Sequence, residues 1–175
     1  YWPAFWLRPD DGGIGEVDMM EAWAGTRASV HQTLWRDYTG TASVQNSNNT
    51  GFSCYDPTAW HTYAVLKEAG VMKFYIDGTM VWDATSSATW RAEAFDRTVN
   101  WNIRLNLQVG SSWGGNPSAS TNLAQTYDVD YVRFNPVLLD VVVFPGFLEH
   151  LPERPLTDLR FSAPRVVIAT DYCYY

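Results

Sequence analysis

Gly15-Glu16-Val17-Asp18-Met19-Met20-Glu21-Ala22-Trp23 gathers three acids beside a tryptophan. In a regular strand successive side chains alternate, so Glu16, Asp18 and Met20 share one face and Glu21 points away. One extra residue at Met19-Met20, a β-bulge, resets that alternation. Glu16, Asp18, Glu21 and Trp23 then line one surface, and Met19 and Met20 pack beneath it. Like charges on one strand face repel, so a purely structural strand has little reason to collect three of them. Glycoside hydrolysis, by contrast, needs a nucleophile and a proton donor together, and retaining enzymes hold the two carboxyls about 5–5.5 Å apart. With a rise of about 3.3 Å per residue, strand curvature at the bulge and the flexible Glu side chains have to close the gap. Asp18 between them can share a proton with Glu16, while repulsion raises the pKa of Glu21 and keeps it protonated. A calcium-binding or merely solvated acidic edge is the other reading of the same cluster, and the pattern alone leaves both open.

Outward from this stretch the strand signals recur with turns between them, and no long 3.6-period segment interrupts them, so the domain reads as all-β. Residues 71–76, Asp77-Gly78 and residues 79–83 read as a hairpin, because Asp-Gly suits the positive φ angles of a tight primed turn. Residues 60–66 and 129–134 read as further strands, rich in β-branched and aromatic residues. Residues 103–109 alternate, with Ile103, Leu105, Leu107 and Val109 predicted to face the core. Arg104, Asn106 and Gln108 lie on the opposite face, suited either to plain solvent or to the hydroxyls of a sugar. The segment 110–117 is a loop with Trp113 at its tip. The Ser, Thr, Asn and Gly of residues 40–51 mark an exposed loop, with a weak glycosylation sequon at Asn48-Asn49-Thr50. Beyond Asn135 the chain changes character: residues 136–175 show no clustered acids, and residues 166–175 are suited to one more strand.

Composition narrows the function classes. Twelve Lys and Arg against 19 Asp and Glu give a formal net charge of -7, so no basic stripe exists to neutralise phosphates and nucleic acid is excluded as a partner. No apolar run reaches the roughly 18 residues a membrane span needs. The nine Trp, ten Tyr and eight Phe serve a β core, and some can offer flat faces to sugar rings. Cys54 and Cys173 are too few for a disulfide scaffold, and whether they pair is not legible from sequence. The chain opens with Tyr1-Trp2-Pro3 rather than a basic, then apolar, leader, so a signal peptide is expected to have been removed or the N-terminus truncated.

Glu-Val-Asp-Met-Met-Glu at 16–21 resembles the ExDxxE signature of glycoside hydrolase family 16, in the bulged form typical of laminarinases and agarases and unlike the unbulged ExDxE of lichenases. Trp2-Pro3-Ala4-Phe5-Trp6-Leu7 resembles the strand before it in that family, and His31-Gln32-Thr33-Leu34-Trp35 the strand after it. Residues 104–110 with Trp113 and Gly115 resemble its later cleft strand and loop, and residues 128–134 its closing strand. The resemblance spans residues 1–135 as a partial catalytic domain and leaves 136–175 as a C-terminal tail of unknown role. It implies an all-β, antiparallel β-sandwich of the jelly-roll, concanavalin A-like type, incomplete here because family members carry strands before the Trp-Pro strand. It further implies a secreted, extracellular, monomeric endo-glycosidase acting on a β-linked polysaccharide, laminarin first, with neither nucleic acid nor membrane as partner. Glu16 becomes the nucleophile, Asp18 its assistant and Glu21 the acid/base. Trp2, Trp6, Trp23, Trp35 and Trp113 become sugar contacts, Arg104 and Asn106 hydroxyl partners, and His31 a cleft-border residue able to tune Glu21. No cofactor or catalytic metal is implied, although Asp130 matches an aspartate that can hold a structural calcium in the family. A lectin-like carbohydrate-binding module, or an inactive partial domain, is the alternative reading on the same sandwich.

Overall fold

The computed structural model describes residues 1–22, 29–37, 44–51, 59–87, 94–134 and 166–174. Among the described residues ten strands form two antiparallel five-stranded sheets. The first sheet is built from β1 (Trp2–Pro9), β2 (Glu16–Glu21), β3 (Ser29–Asp37), β4 (Val44–Gly51) and β8 (Trp101–Gln108), in the order β4-β3-β2-β1-β8. The second contains β5 (His61–Glu68), β6 (Val71–Ile76), β7 (Thr79–Asp83), β9 (Tyr127–Phe134) and β10 (Val166–Tyr174), in the order β7-β6-β5-β10-β9.

Alternation explains how the sheets stack. Phe5, Leu7, Val17, Met19, Met20, Val30 and Leu34 from the first sheet meet Tyr63, Val65, Met72, Phe74 and Ile76 from the second in one buried cluster. Every fully buried aromatic or aliphatic side chain of this kind adds about 1.5–3 kcal/mol of transfer free energy, which is what holds two sheets face to face. The expected hairpin closes through Asp77 at φ 51° and Gly78 at φ 74°, the pair of positive angles its turn requires.

Lys67 carries a half-buried charge on the side of β5 that Tyr63 and Val65 turn to the core. Lys67 donates to the Phe95 carbonyl at 2.5 Å and lies 4.6 Å from the centre of the Trp101 ring. Burial pulls its pKa down to about 8, against the pull of Asp96.

Three elements differ from, or add to, the sequence reading. Residues 40–51, expected as an exposed loop, contain β4, which pairs with β3 from Ser29↔Gly51 to Asp37↔Val44. A neighbouring strand offers a full ladder of backbone partners, and that outweighs weak intrinsic β propensity. Polar residues also suit a sheet edge, where they discourage further pairing.

The apolar side of β8, expected to be core throughout, is core only at its start. Trp101 is buried and Ile103 packs on the cluster, but Leu105 is 37% exposed and Val109 47%. Among the described residues β8 has β1 as its single neighbour, so its apolar side loses cover toward its C-terminal end.

The strand anticipated near the C-terminus is β10. It lies between β5 and β9, pairing through Val166↔Lys67 to Tyr172↔His61 on one side and Ile168↔Phe134 to Tyr174↔Tyr127 on the other. Among the described residues it therefore joins two strands that otherwise would not meet. Deleting residues 136–175 strips both ladders and leaves two open strand edges, so Tm is expected to fall by more than about 10 °C with increased aggregation. Calorimetry checks this, and a deleted chain that melts with the intact one would show that β10 contributes no stability.

Candidate active site

Glu16, Asp18 and Glu21 come together because of a register shift. On its β1 side β2 pairs Met20 with Phe5 and then Asp18 with Trp6, so Met19 has no partner of its own. On its β3 side Asp18 faces Thr33 and Glu21 faces His31, leaving Met19 and Met20 opposite the single residue Gln32. This two-against-one count is the β-bulge anticipated from the sequence. Both methionines are buried in the core, and the three acids share the other side of the sheet. Gly15 sets the entry to the strand: its φ is 106°, and a Cβ there would lie 2.7 Å from the Ala94 carbonyl oxygen, so only glycine fits.

Pairing across the sheet defines what surrounds the acids. One row runs Thr33, Asp18, Trp6, Arg104, and the next runs His31, Glu21, Ala4, Asn106. Glu16 lies opposite Trp35 and forms an ion pair with Arg8 at 3.5 Å. Glu21 accepts from the Trp2 indole N–H at 3.1 Å and from the Thr33 hydroxyl at 3.3 Å. Trp2 reaches it diagonally past Ala4, a separation a long side chain spans. The Trp35 side chain hydrogen-bonds Asp18, whose Oδ2 has no hydrogen-bond partner among the described residues.

Burial and charge make the three acids unequal. Asp18 is pushed well above the usual carboxylate range, first by burial and then by repulsion from Glu21 and Glu16. Glu21 is raised to about 7, mainly by burial, with Glu16 adding to the rise and the Thr33 and Trp2 hydrogen bonds opposing it. Repulsion was the expected cause; desolvation is the larger one. Glu16 is raised by burial too, but Arg8 and Arg104 both pull it back toward the charged form. The arrangement therefore stores protons at Asp18 and Glu21 while directing positive charge at Glu16.

The other anticipated residues fall into place unevenly. Trp6 donates its indole N–H to Asn106 Oδ1 at 2.7 Å, and the Arg104 guanidinium lies 4.8 Å from its ring centre, so these two polar residues hold a tryptophan on the acid side of the sheet. Trp2 and Trp113 stack at 5.2 Å with planes 17° apart. Trp113 itself is 43% exposed. His31 is the cross-strand partner of Glu21, yet the hydrogen bonds to Glu21 come from Trp2 and Thr33; burial lowers the imidazole pKa and keeps it neutral at pH 7. Trp23 lies outside the described residues. Arg8 and Thr33 were not anticipated as site residues. Alternation from Trp2 and Trp6 would have placed Arg8 on the acid side of β1, and alternation from His31 would have placed Thr33 on that of β3.

Asp130 is exposed, and among the described residues no three His, Cys, Asp or Glu side chains gather anywhere as a cation site.

Fold and site together define a class: an antiparallel β-sandwich of the jelly-roll type carrying acids and tryptophans on the outer side of one sheet. The model of glycosyl hydrolases family 16 matches residues 1–133, and this chain belongs to that family. Glucan endo-1,3-beta-glucosidase A1 of Niallia circulans is 28% identical over 149 residues, covering 75% of this chain and 21% of that protein. Endo-1,3-1,4-beta-glycanase ExsH of Rhizobium meliloti (strain 1021) is 29% identical over 135 residues, covering 75% and 26%. The chain thus spans about a quarter or less of the length of these relatives. Among solved structures, the endo-beta-1,3-glucanase from Pyrococcus furiosus aligns with a TM-score of 0.46 at 21% identity, over 99% of this chain and 56% of that one.

The raised pKa of Glu21 has a consequence for stability. Its folded value of about 7 lies above the ordinary 4.5, so the folded state binds this proton more tightly than the unfolded chain does. Protonation therefore favours folding fully below about pH 4.5, and the advantage is lost as pH rises through about 7. Glu21→Gln should remove this dependence, gaining on wild type by on the order of 2–3 kcal/mol between pH 4 and pH 8. Urea unfolding at both pH values checks it; a difference that stays constant with pH would refute it.

Proposed function

We propose that this chain carries the catalytic face of an endo-acting, retaining glycoside hydrolase that cleaves a β-linked polysaccharide, β-1,3-glucan of the laminarin kind first. The single observation that supports it most is the bulge at Met19–Met20, which puts three acids on one side of a sheet and gives each a different environment. A binding module has no need for that. The names of the two relatives, an endo-1,3-beta-glucosidase and an endo-1,3-1,4-beta-glycanase, favour β-1,3-linked glucan. A polysaccharide too large to enter a cell would be met outside it, which favours a secreted, extracellular enzyme.

In this reading Glu16 is the nucleophile. Its carboxylate oxygen bonds to the anomeric carbon as the glycosidic bond breaks, and the departing oxygen takes the proton of Glu21. Glu21, now ionised, then removes a proton from water. The water oxygen attacks the anomeric carbon and displaces Glu16, giving a product of retained configuration. Arg8 and Arg104 favour charged Glu16, and Asp18, whose own pKa is raised by burial and by its neighbouring carboxyls, leaves the negative charge to Glu16. An acid with a pKa of about 7 is protonated under mildly acidic to neutral conditions and still gives up its proton readily. Trp6, steadied by Asn106 and Arg104, and the exposed Trp113 offer flat faces for glucose rings.

The glutamates test the reading because the mechanism makes them unequal. Glu16→Ala should reduce laminarin hydrolysis to background while binding persists. Glu21→Ala should cost about 10²–10⁴-fold on polysaccharide, and less on an aryl glycoside whose leaving group departs unaided. Azide should rescue both, with inverted product from Glu16→Ala and retained product from Glu21→Ala, read by NMR of the glycosyl azides. Near wild-type reducing-sugar release from both variants would remove the cluster from catalysis and favour a carbohydrate-binding module.

A further inference from the structure

Trp2 was expected to stack on sugar, but its N–H is engaged by Glu21 and one of its ring faces by Trp113. An indole that donates to a carboxylate at 3.1 Å must have its ring plane fixed, or the hydrogen bond bends and weakens. Trp113 supplies that restraint, with rings stacked at 5.2 Å and 17°. The loop that carries it is itself tied down. Ser111 Oγ accepts from the backbone N–H of Trp113 at 3.1 Å and of Gly114 at 2.6 Å, and the Ser111 N–H donates to the Gly115 carbonyl at 3.2 Å. Gln108, the cross-strand partner of Trp2, donates to the Gly110 carbonyl at 3.0 Å, so the base of the loop is fixed to the strand beside Trp2.

We propose that Trp113 is a positioning residue for Glu21, acting through Trp2: the loop aromatic holds the Trp2 ring where its N–H grips the acid/base carboxyl. This rests on the role given above to Glu21. The grip has a defined sign, since an N–H donated to a carboxylate favours its ionised form. Among the described residues, the other charged or titratable groups around Glu21 are Glu16 and Asp18 on its own strand, His31 on β3, Arg8 on β1 and Arg104 on β8. None of them is attached to the 111–115 loop, so a change at Trp113 reaches Glu21 by way of Trp2. A glucan that moves Trp113 on binding would alter the proton affinity of the acid that cleaves it.

The experiment titrates the Glu21 carboxyl by NMR in chain labelled with ¹³Cδ-glutamate, its resonance assigned with Glu21→Gln, alongside the pH profile of kcat/KM on laminarin. Trp2→Phe, which keeps the ring but lacks the N–H, should raise the Glu21 midpoint, and the alkaline limb of the profile, by about half a unit to one unit. Trp113→Ala admits water as well as freeing the indole, so its effect is read as a difference: the midpoint should move upward by about half a unit to one unit more in the wild-type background than in Trp2→Phe, where only the hydration effect remains. Trp113→Phe, which can still stack, should stay near wild type. Equal Trp113→Ala shifts in the two backgrounds, with KM raised, would overturn the relay and leave Trp113 as a plain sugar contact. The two readings fail separately: normal hydrolysis by Glu21→Ala refutes the catalytic role whatever the titrations show, and equal shifts in the two backgrounds refute the relay even where Glu21→Ala is inactive.

Discussion

The bulge at Met19–Met20 is the constraint on which the acid face depends. Without it, strand alternation would send Glu21 into the space between the sheets, where a carboxylate costs several kcal/mol to bury. With it, two adjacent methionines both point inward and the third acid is returned to the side of the other two. The cost of an irregular ladder is met by the core, since Met19 and Met20 are among the best buried side chains in the molecule. The unbranched, flexible methionine side chain suits a position where two neighbouring residues must crowd into one layer.

Once the acids share a face, their neighbours differentiate them. Arginine side chains from β1 and β8 converge on Glu16 from one flank of the strand. Hydrogen-bond donors from β1 and β3 hold Glu21 from both flanks. Asp18, between them and deepest, is the natural place for a proton to rest. Such a division, with one acid charge-compensated and another held neutral by desolvation, is how paired carboxylates take different parts in one reaction. The dominance of burial over repulsion at Glu21 also means that the aromatic side chains around the acids contribute to their chemistry by excluding water.

The aromatic residues accordingly have two kinds of work. Trp2 and Trp35 are engaged directly with acids of the cluster. Trp6 is held by Asn106 and Arg104, and Trp113 keeps a large exposed area. Polar residues on β8 that alternation alone would assign to solvent or to sugar thus serve first to fix a tryptophan.

Several features were legible from the sequence because they follow from local rules. Asp77-Gly78 dictates a primed turn, strand alternation assigns faces on β1 and β8, and ExDxxE with two apolar residues between its last acids calls for a bulge. A polar stretch such as residues 44–51 carries no local signal for a strand; its pairing comes from the open edge of β3, which only the assembled sheet provides. In the same way β10 owes its position to the gap between β5 and β9, strands far from it along the chain. The incomplete burial of Leu105 and Val109 depends on what lies next to β8, not on their own hydrophobicity. The sequence by itself determined which residues are acids, which strands they sit on and that they share a side. Tertiary structure alone decided how deeply each is buried and which arginine, threonine or indole reaches it, because pKa values and hydrogen bonds depend on groups brought close by folding rather than by chain order.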